Sequence, residues 1–345
     1  MTQHKPSKVC SEASALSLNS MKFFFGLLLA LAGSSCNGQN NTLDMSHSNP
    51  LLCDIQTGVC ETPVAALDGK QTKAPKPVLI RYFTDPICSS CWGIEPQLRR
   101  LKLEYGDQID LEYHMGGLLP SWEVYNSGSI SKPSDVAHHW DEVSLHYQMP
   151  IDGDVWLEDP LPSSYPPSIA FKAAQMQDEQ KAIQFLRRIR EMVFLEKKNI
   201  TKWEYLETAA KQVGLDAVKM KADFEGKAKE LFQEDLKLAQ SLSVRSFPTM
   251  IFSDADQQRL VLKGARPYEQ FEQTLRALHP AALKNAYDAS STALFAKYPT
   301  LTTREFAELA GLSMEQAEQT LQTLQAQKRL DKFSTKNGPI WKNIN

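Results

Sequence analysis

Val78-Leu79-Ile80-Arg81-Tyr82-Phe83-Thr84-Asp85-Pro86-Ile87-Cys88-Ser89-Ser90-Cys91-Trp92-Gly93-Ile94-Glu95-Pro96 decides the fold. Its apolar, β-rich start reads as a buried strand, Asp85-Pro86 ends that strand, and Cys88 falls where a helix begins. A thiol placed there is activated, because the unpaired N–H groups and the positive end of the helix dipole favour thiolate over thiol. Two intervening residues bring Cys91 back toward Cys88 across the first turn, close enough to attack a mixed disulfide. The helix is expected to run on through Gln97 to Tyr105, with Pro96 kinking it.

The same spacing can form half of a zinc site or be a chance pair. Zinc needs further ligands, and the nearest other cysteines, Cys53 and Cys60, are separated by six residues and lie across a linker-like stretch. Redox chemistry at Cys88 and Cys91 is therefore the expectation.

Phe83-Thr84-Asp85-Pro86-x-Cys88-Ser89-Ser90-Cys91-Trp92-Gly93-x-Glu95-Pro96 resembles the DsbA-like thioredoxin-fold proteins, especially the branch containing the FrnE-type oxidoreductases and the YjbH/SpxH adaptors of the ClpXP protease. Met115-Gly116-Gly117-Leu118-Leu119-Pro120, Ser164-Tyr165-Pro166-Pro167-Ser168 and Val244-Arg245-Ser246-Phe247-Pro248-Thr249 are similar to the same branch, so the resemblance covers about residues 76 to 280. It implies an α/β fold, a thioredoxin-like mixed sheet with an inserted all-helical domain. It also implies Cys88, Cys91 and Pro248 as site residues. By itself Phe247-Pro248 reads as an ordinary turn. In the family pattern the matching proline is cis and faces the N-terminal active cysteine, and a cis bond costs little only at proline. No cofactor or metal is implied.

The chain has 345 residues, enough for two or three structural units, and a formal net charge of -3 that gives no broad attraction to nucleic acid or acidic membrane. Six cysteines are too few to staple a protein of this size, and all lie in its first third.

Residues 1–36 admit three readings. Phe23 to Ala32, preceded by Lys22, has the size of a signal h-region, and Ala30-Leu31-Ala32 offers the small residues of a cleavage site. Gly33-Ser34-Ser35-Cys36 reads as a relaxed lipobox that would tether the protein to a membrane through Cys36, although the Leu expected three positions before it is missing. In the third reading Met45 is the start and the protein is cytoplasmic. Residues 37–77 are rich in Asn, Ser, Thr, Lys and Pro and read as a tether. Within it Cys53 and Cys60 can close a small disulfide loop, relay electrons to Cys88 and Cys91, or have only a local role.

Ile109 to Met115 alternates apolar and polar residues and reads as a second strand, parallel to the first because a helix joins them. The thioredoxin-like domain is expected over 78–120 and 225–280, and the helical insertion over 121–224. In the insertion Val136, Trp140, Val143 and Tyr147 share one face, and Ile183, Leu186, Ile189 and Val193 form another stripe. Asp135, His139, Glu142 and His146 line a polar edge, but they spread over about 16 Å and cannot all reach one ion. The strands at 78–83, 109–115, 249–253 and 259–263 are expected to form one mixed sheet.

Residues 281–345 read as a winged-helix-like appendage: a capping box near Thr302, a turn at Gly311, a Ser-capped helix and a hairpin near Asp331 to Trp341. DNA binding does not follow, since the helix after Ser313 carries Glu315 and Glu318 and no basic residue before Lys328.

Two functions follow. The first is a thiol-disulfide oxidoreductase acting on cysteine-containing protein substrates or a thiol reductant. The second is a non-enzymatic adaptor that presents a client to a protease. Ser89-Ser90 departs from the Pro-His of many periplasmic oxidants, so oxidase, reductase and isomerase all stay open.

Overall fold

The computed structural model describes residues 76–125, 128 and 130–344, together with the main chain of two short strands, β1 (Cys53–Asp54) and β2 (Val59–Cys60). The chain divides into two compact units, residues 1–71 and 72–345. In the first, β1 and β2 pair antiparallel with Cys53 opposite Cys60 and Asp54 opposite Val59. The signal, lipid-anchor and start-site readings around Phe23 to Ala32, Cys36 and Met45 lie outside the described residues, as do the side chains of Cys53 and Cys60.

The second unit opens with β3 (Val78–Thr84), α1 (Ser89–Gly93), α2 (Glu95–Tyr105) and β4 (Ile109–Met115). The helical connection makes β3 and β4 parallel, in register from Val78 opposite Ile109 to Thr84 opposite Met115. Seven helices follow: α3 (Pro133–Tyr147), α4 (Val155–Glu158), α5 (Tyr165–Gln175), α6 (Glu179–Phe194), α7 (Trp203–Gln212), α8 (Ala217–Glu225) and α9 (Lys227–Ser241). The chain then returns as β5 (Thr249–Ser253), β6 (Arg259–Lys263) and α10 (Tyr268–Leu278). One mixed sheet results, in the order β4-β3-β5-β6, with β5 antiparallel to both of its neighbours.

Apolar side chains of the sheet (Ile80, Tyr82), of α1 and α2 (Trp92, Leu98) and of the long helical segment (Trp140, Phe171, Phe185, Ile189) are buried in one continuous cluster. The apolar stripes of α3 and α6 face this core, as helical periodicity requires.

The last part contains α11 (Ser291–Lys297), β7 (Thr300–Thr302), α12 (Thr303–Ala310), α13 (Met314–Ala326), β8 (Leu330–Thr335) and β9 (Gly338–Asn343). It builds a second core from Leu294, Phe295, Leu301, Phe306, Leu321 and Trp341. Thr302 with Glu305 and Ser313 with Gln316 form the capping boxes of α12 and α13, and Gly311 turns the chain between them at φ 66°. The expected hairpin is present as β8 and β9, and β7 adds a third strand to it, giving the order β7-β9-β8.

One local expectation is corrected. The helix after Cys88 does not bend at Pro96. It stops at Ile94 (φ −97°, ψ 5°) and restarts as α2, with Pro96 in the first turn, where a missing N–H removes no helical hydrogen bond. Helix α5 begins at Tyr165, and Pro166 and Pro167 likewise occupy its first turn. The short elements α4, α11 and β7 have too few residues to impose a period on the sequence.

Candidate functional site

Cys88 is the N-cap of α1, and its Sγ accepts a hydrogen bond from the Cys91 N–H at 3.2 Å. Helix α1 has only five residues, so the local N–H groups contribute more than a long-range dipole. Cys88 and Cys91 are joined by a disulfide with Cα atoms 5.2 Å apart. Cys91 is 0% exposed and Cys88 4%, so Cys88 is the less deeply buried residue of the pair.

The Phe247-Pro248 peptide is cis. Pro248 directly precedes Thr249, which pairs with Phe83 at the end of β3, and the Cys88 loop leaves the sheet from that end. Opposite stands Gly116, whose N–H donates to the Thr84 carbonyl at 2.7 Å. A Cβ on Gly116 would lie 2.0 Å from the Phe247 ring, so any side chain there must displace that ring.

Asp85 ties three of the sequence stretches together. Its buried carboxylate accepts from the N–H of Ile87 at 3.0 Å, the N–H of Leu118 at 2.8 Å and the Ser164 hydroxyl at 2.8 Å. Burial pushes its pKa up to about 6 against the pull of these hydrogen bonds. Its main-chain carbonyl accepts from the Cys88 N–H at 3.2 Å and fixes the approach to the cysteine pair.

The helical segment covers this site with Tyr147, from the stripe that periodicity marked, and with arginines that periodicity did not single out. Arg190, fully buried in α6, donates to Thr84 Oγ1 at 2.6 Å and to the Asp85 carbonyl at 3.2 Å, and pairs with Glu95 at 2.7 Å. Tyr147 reaches Ser90 Oγ at 3.3 Å, and its ring lies where a Cβ on Gly93 would be, 2.5 Å from the nearest ring atom. Trp92 donates from Nε1 to the Pro150 carbonyl at 3.1 Å, with the Arg187 guanidinium 4.3 Å above its ring. The Arg187-Arg188-Ile189-Arg190 run was the available signal; a cluster of arginines inside an apolar stripe implies carboxylates supplied from elsewhere.

The polar edge of α3 serves the helix itself. Asp135 accepts from the Ser131 N–H at 3.0 Å and the Lys132 N–H at 3.2 Å, while Glu142 pairs with His138 at 3.2 Å, a residue outside the expected line. Among the described residues, no three His, Cys, Asp or Glu side chains gather as a metal ion would require.

A cavity of about 960 Å³ lies apart from the cysteines, between α2, α6 and the C-terminal region. Lys102, Tyr113, Arg187 and Tyr298 line it, and Cys88, Cys91 and Pro248 do not.

A thioredoxin family model matches residues 82–273. A ClpXP adapter protein SpxH of Halalkalibacterium halodurans is 34% identical over 302 residues, covering 86% of this chain and 98% of that protein. The chain belongs to the SpxH-adaptor branch of the DsbA-like thioredoxin-fold family. The SpxH of Bacillus subtilis is 30% identical over 274 residues, 78% of this chain and 90% of the relative. In both SpxH relatives the aligned length exceeds the thioredoxin match, so the likeness extends beyond that domain. A solved structure from Nitrosomonas europaea, provisionally described as a protein disulfide isomerase, superposes with a TM-score of 0.50 at 20% identity over 60% of this chain and 97% of its own, which speaks to the fold alone.

Proposed function

We propose that this protein is an adaptor that presents a client protein to a ClpXP-type protease. The observation that carries the proposal is the likeness to proteins named ClpXP adapter SpxH over 98% of a relative's length. The geometry is compatible with it. Helices from 121–224 and the C-terminal region pack around the sheet, and Leu145 of α3 is an apolar side chain left 75% exposed. In this reading residues 281–345, helix-turn-helix plus hairpin in the manner of a winged helix, are a packing and docking element.

A second reading, thiol-disulfide exchange, is favoured by one specific observation: a Cys88–Cys91 disulfide at a helix start, on the sheet end where a cis proline also lies. A substrate thiolate attacks Cys88 Sγ, the S–S bond breaks and Cys91 leaves as the thiolate. A second substrate thiolate then attacks the mixed disulfide, leaving an oxidised substrate and the reduced pair. The reverse sequence reduces a substrate disulfide at the expense of the Cys88 and Cys91 thiols.

One experiment separates the two. ClpXP turnover of a co-purifying client is measured with the wild type and with the Cys88→Ser/Cys91→Ser double variant, alongside non-reducing trapping by Cys91→Ser. The adaptor reading expects both proteins to accelerate degradation several-fold. It is wrong if neither does so while Cys91→Ser accumulates client adducts through Cys88 that Cys88→Ser does not form.

A further inference from the structure

The charged side chains around the 960 Å³ cavity are unequally served. Arg99, Arg187, Arg188 and Arg190 each meet at least one carboxylate, whereas Lys102, Lys297 and Lys342 have no carboxylate partner among the described residues. Lys297 and Lys342 are exposed and stand at the rim; Lys102 is half-buried within the wall. Its Nζ donates to the Tyr113 hydroxyl at 2.8 Å, and the ammonium sits 5.0 Å from the centre of that ring. Burial keeps the Tyr113 phenol neutral, so it is no counter-ion. Elsewhere the wall is largely apolar, with Ile183, Leu186, Val213 and Ile340; the carboxylates that also line it include Glu95, Glu191 and Glu196, which pair with Arg190, Arg187 and Arg188, and Asp331. A concave apolar wall around a few polar groups is the common build of a small-molecule site, and this volume suits a drug-sized ligand.

We propose that this cavity binds a small amphipathic organic oxyanion, its carboxylate or phosphate head on Lys102 and the Tyr113 hydroxyl and its apolar body against Ile183, Leu186 and Val213. The head would supply the counter-ion that Lys102 lacks, and the body would remove apolar wall from water. Because α2, α6 and the C-terminal region all line the cavity, the occupant would brace them together. The site is independent of the Cys88–Cys91 pair and of the adaptor reading. Burial also lowers the Lys102 pKa to about 8, with Arg99 and Arg190 adding to the effect against the pull of Glu95, so a useful fraction of the amine is free for labelling near that pH.

The full-length chain is treated with pyridoxal 5′-phosphate at pH 8. This aldehyde condenses with a neutral amine, losing water, and borohydride fixes the imine as a secondary amine. Peptide mass spectrometry should find Lys102 modified about tenfold faster than the exposed lysines, since more of its amine is unprotonated. Octanoate or octyl phosphate, at about four times its dissociation constant, should lower that modification about fivefold, and acetate should not. Whichever protects at lower concentration identifies the head group. Octanoate should also raise the melting temperature of the wild type and leave that of Lys102→Met unchanged. No protection of Lys102 by either amphiphile, or equal protection by acetate, overturns the proposal. These labelling results use the wild type and decide the matter even if Lys102→Met does not fold.

Discussion

Arg187 of α6 grips Glu305 of α12 through paired N–H···O bonds of 2.7 and 3.0 Å, and this grip fastens the C-terminal region to the helices that cover Trp92. Glu305 is fully buried and also meets Arg99 at 3.2 Å, so three separate parts of the chain share one carboxylate. Its pKa lies below the ordinary carboxylate range: burial alone would raise it, but Arg187 and Arg99 outweigh that.

Glu305→Gln leaves two buried guanidinium groups short of a counter-charge and should cost about 3 kcal/mol in urea unfolding. The pH sign follows from the depressed pKa. The carboxylate's contribution is complete above its ordinary value of 4.5 and is lost as pH falls through the lower folded value, so the gap between wild type and variant should close in acid. An Arg187→Met/Glu305→Leu double variant should recover much of the loss. If Glu305→Gln unfolds with the wild-type midpoint at neutral pH, the clasp contributes nothing.

Asp85 behaves oppositely. Its pKa is raised from 3.8 to about 6, so the stabilising form is the protonated one, present in full below 3.8 and lost as pH rises through 6. Ionisation should therefore lower stability by roughly 2 kcal/mol on going from pH 4 to pH 7. Stability measured across that range should fall less steeply in Asp85→Asn than in the wild type; parallel curves would refute the argument.

Gly116→Ala places a methyl where the Phe247 ring now lies. Overpacking of this kind should cost about 1–3 kcal/mol and move the residue that precedes the cis proline. Thermal unfolding reads the first effect, and a chemical-shift change confined to Phe247 and its neighbours reads the second. A variant as stable as the wild type would mean that the ring can retreat without penalty.

Lys336, in the β8–β9 turn, meets Asp141 at 2.8 Å, Asp154 at 2.5 Å and Asp152 at 3.6 Å. It is partly exposed, so Lys336→Met should cost only about 1 kcal/mol, and more at low than at high salt, because three carboxylates are left facing one another. A loss that does not vary with salt would point to lost packing in place of lost charge.

The functional ranking shows what a local motif can carry. Cys88-Ser89-Ser90-Cys91 is visible to any reader because its chemistry needs two sulfurs one turn apart, and it draws the sequence reading toward an oxidoreductase. Client binding needs surface shape assembled from distant segments and leaves no comparable spacing. The likeness to SpxH proteins therefore adds weight to the adaptor that the residues alone ranked second.

By itself the sequence determined the four strands of the mixed sheet, the place of Cys88 at a helix start and the capping boxes at Thr302 and Ser313, because these depend on neighbours a few residues apart. The resemblance added the cis bond at Pro248. The tertiary structure alone decided which charges could be buried. Arg190 meets Glu95 across 95 residues of chain, Arg187 meets Glu305 across 118, and Lys102 is left with a phenol. A charge withdrawn from water is tolerated only where a partner or an accessible cavity receives it, and packing of segments far apart in the chain creates those places.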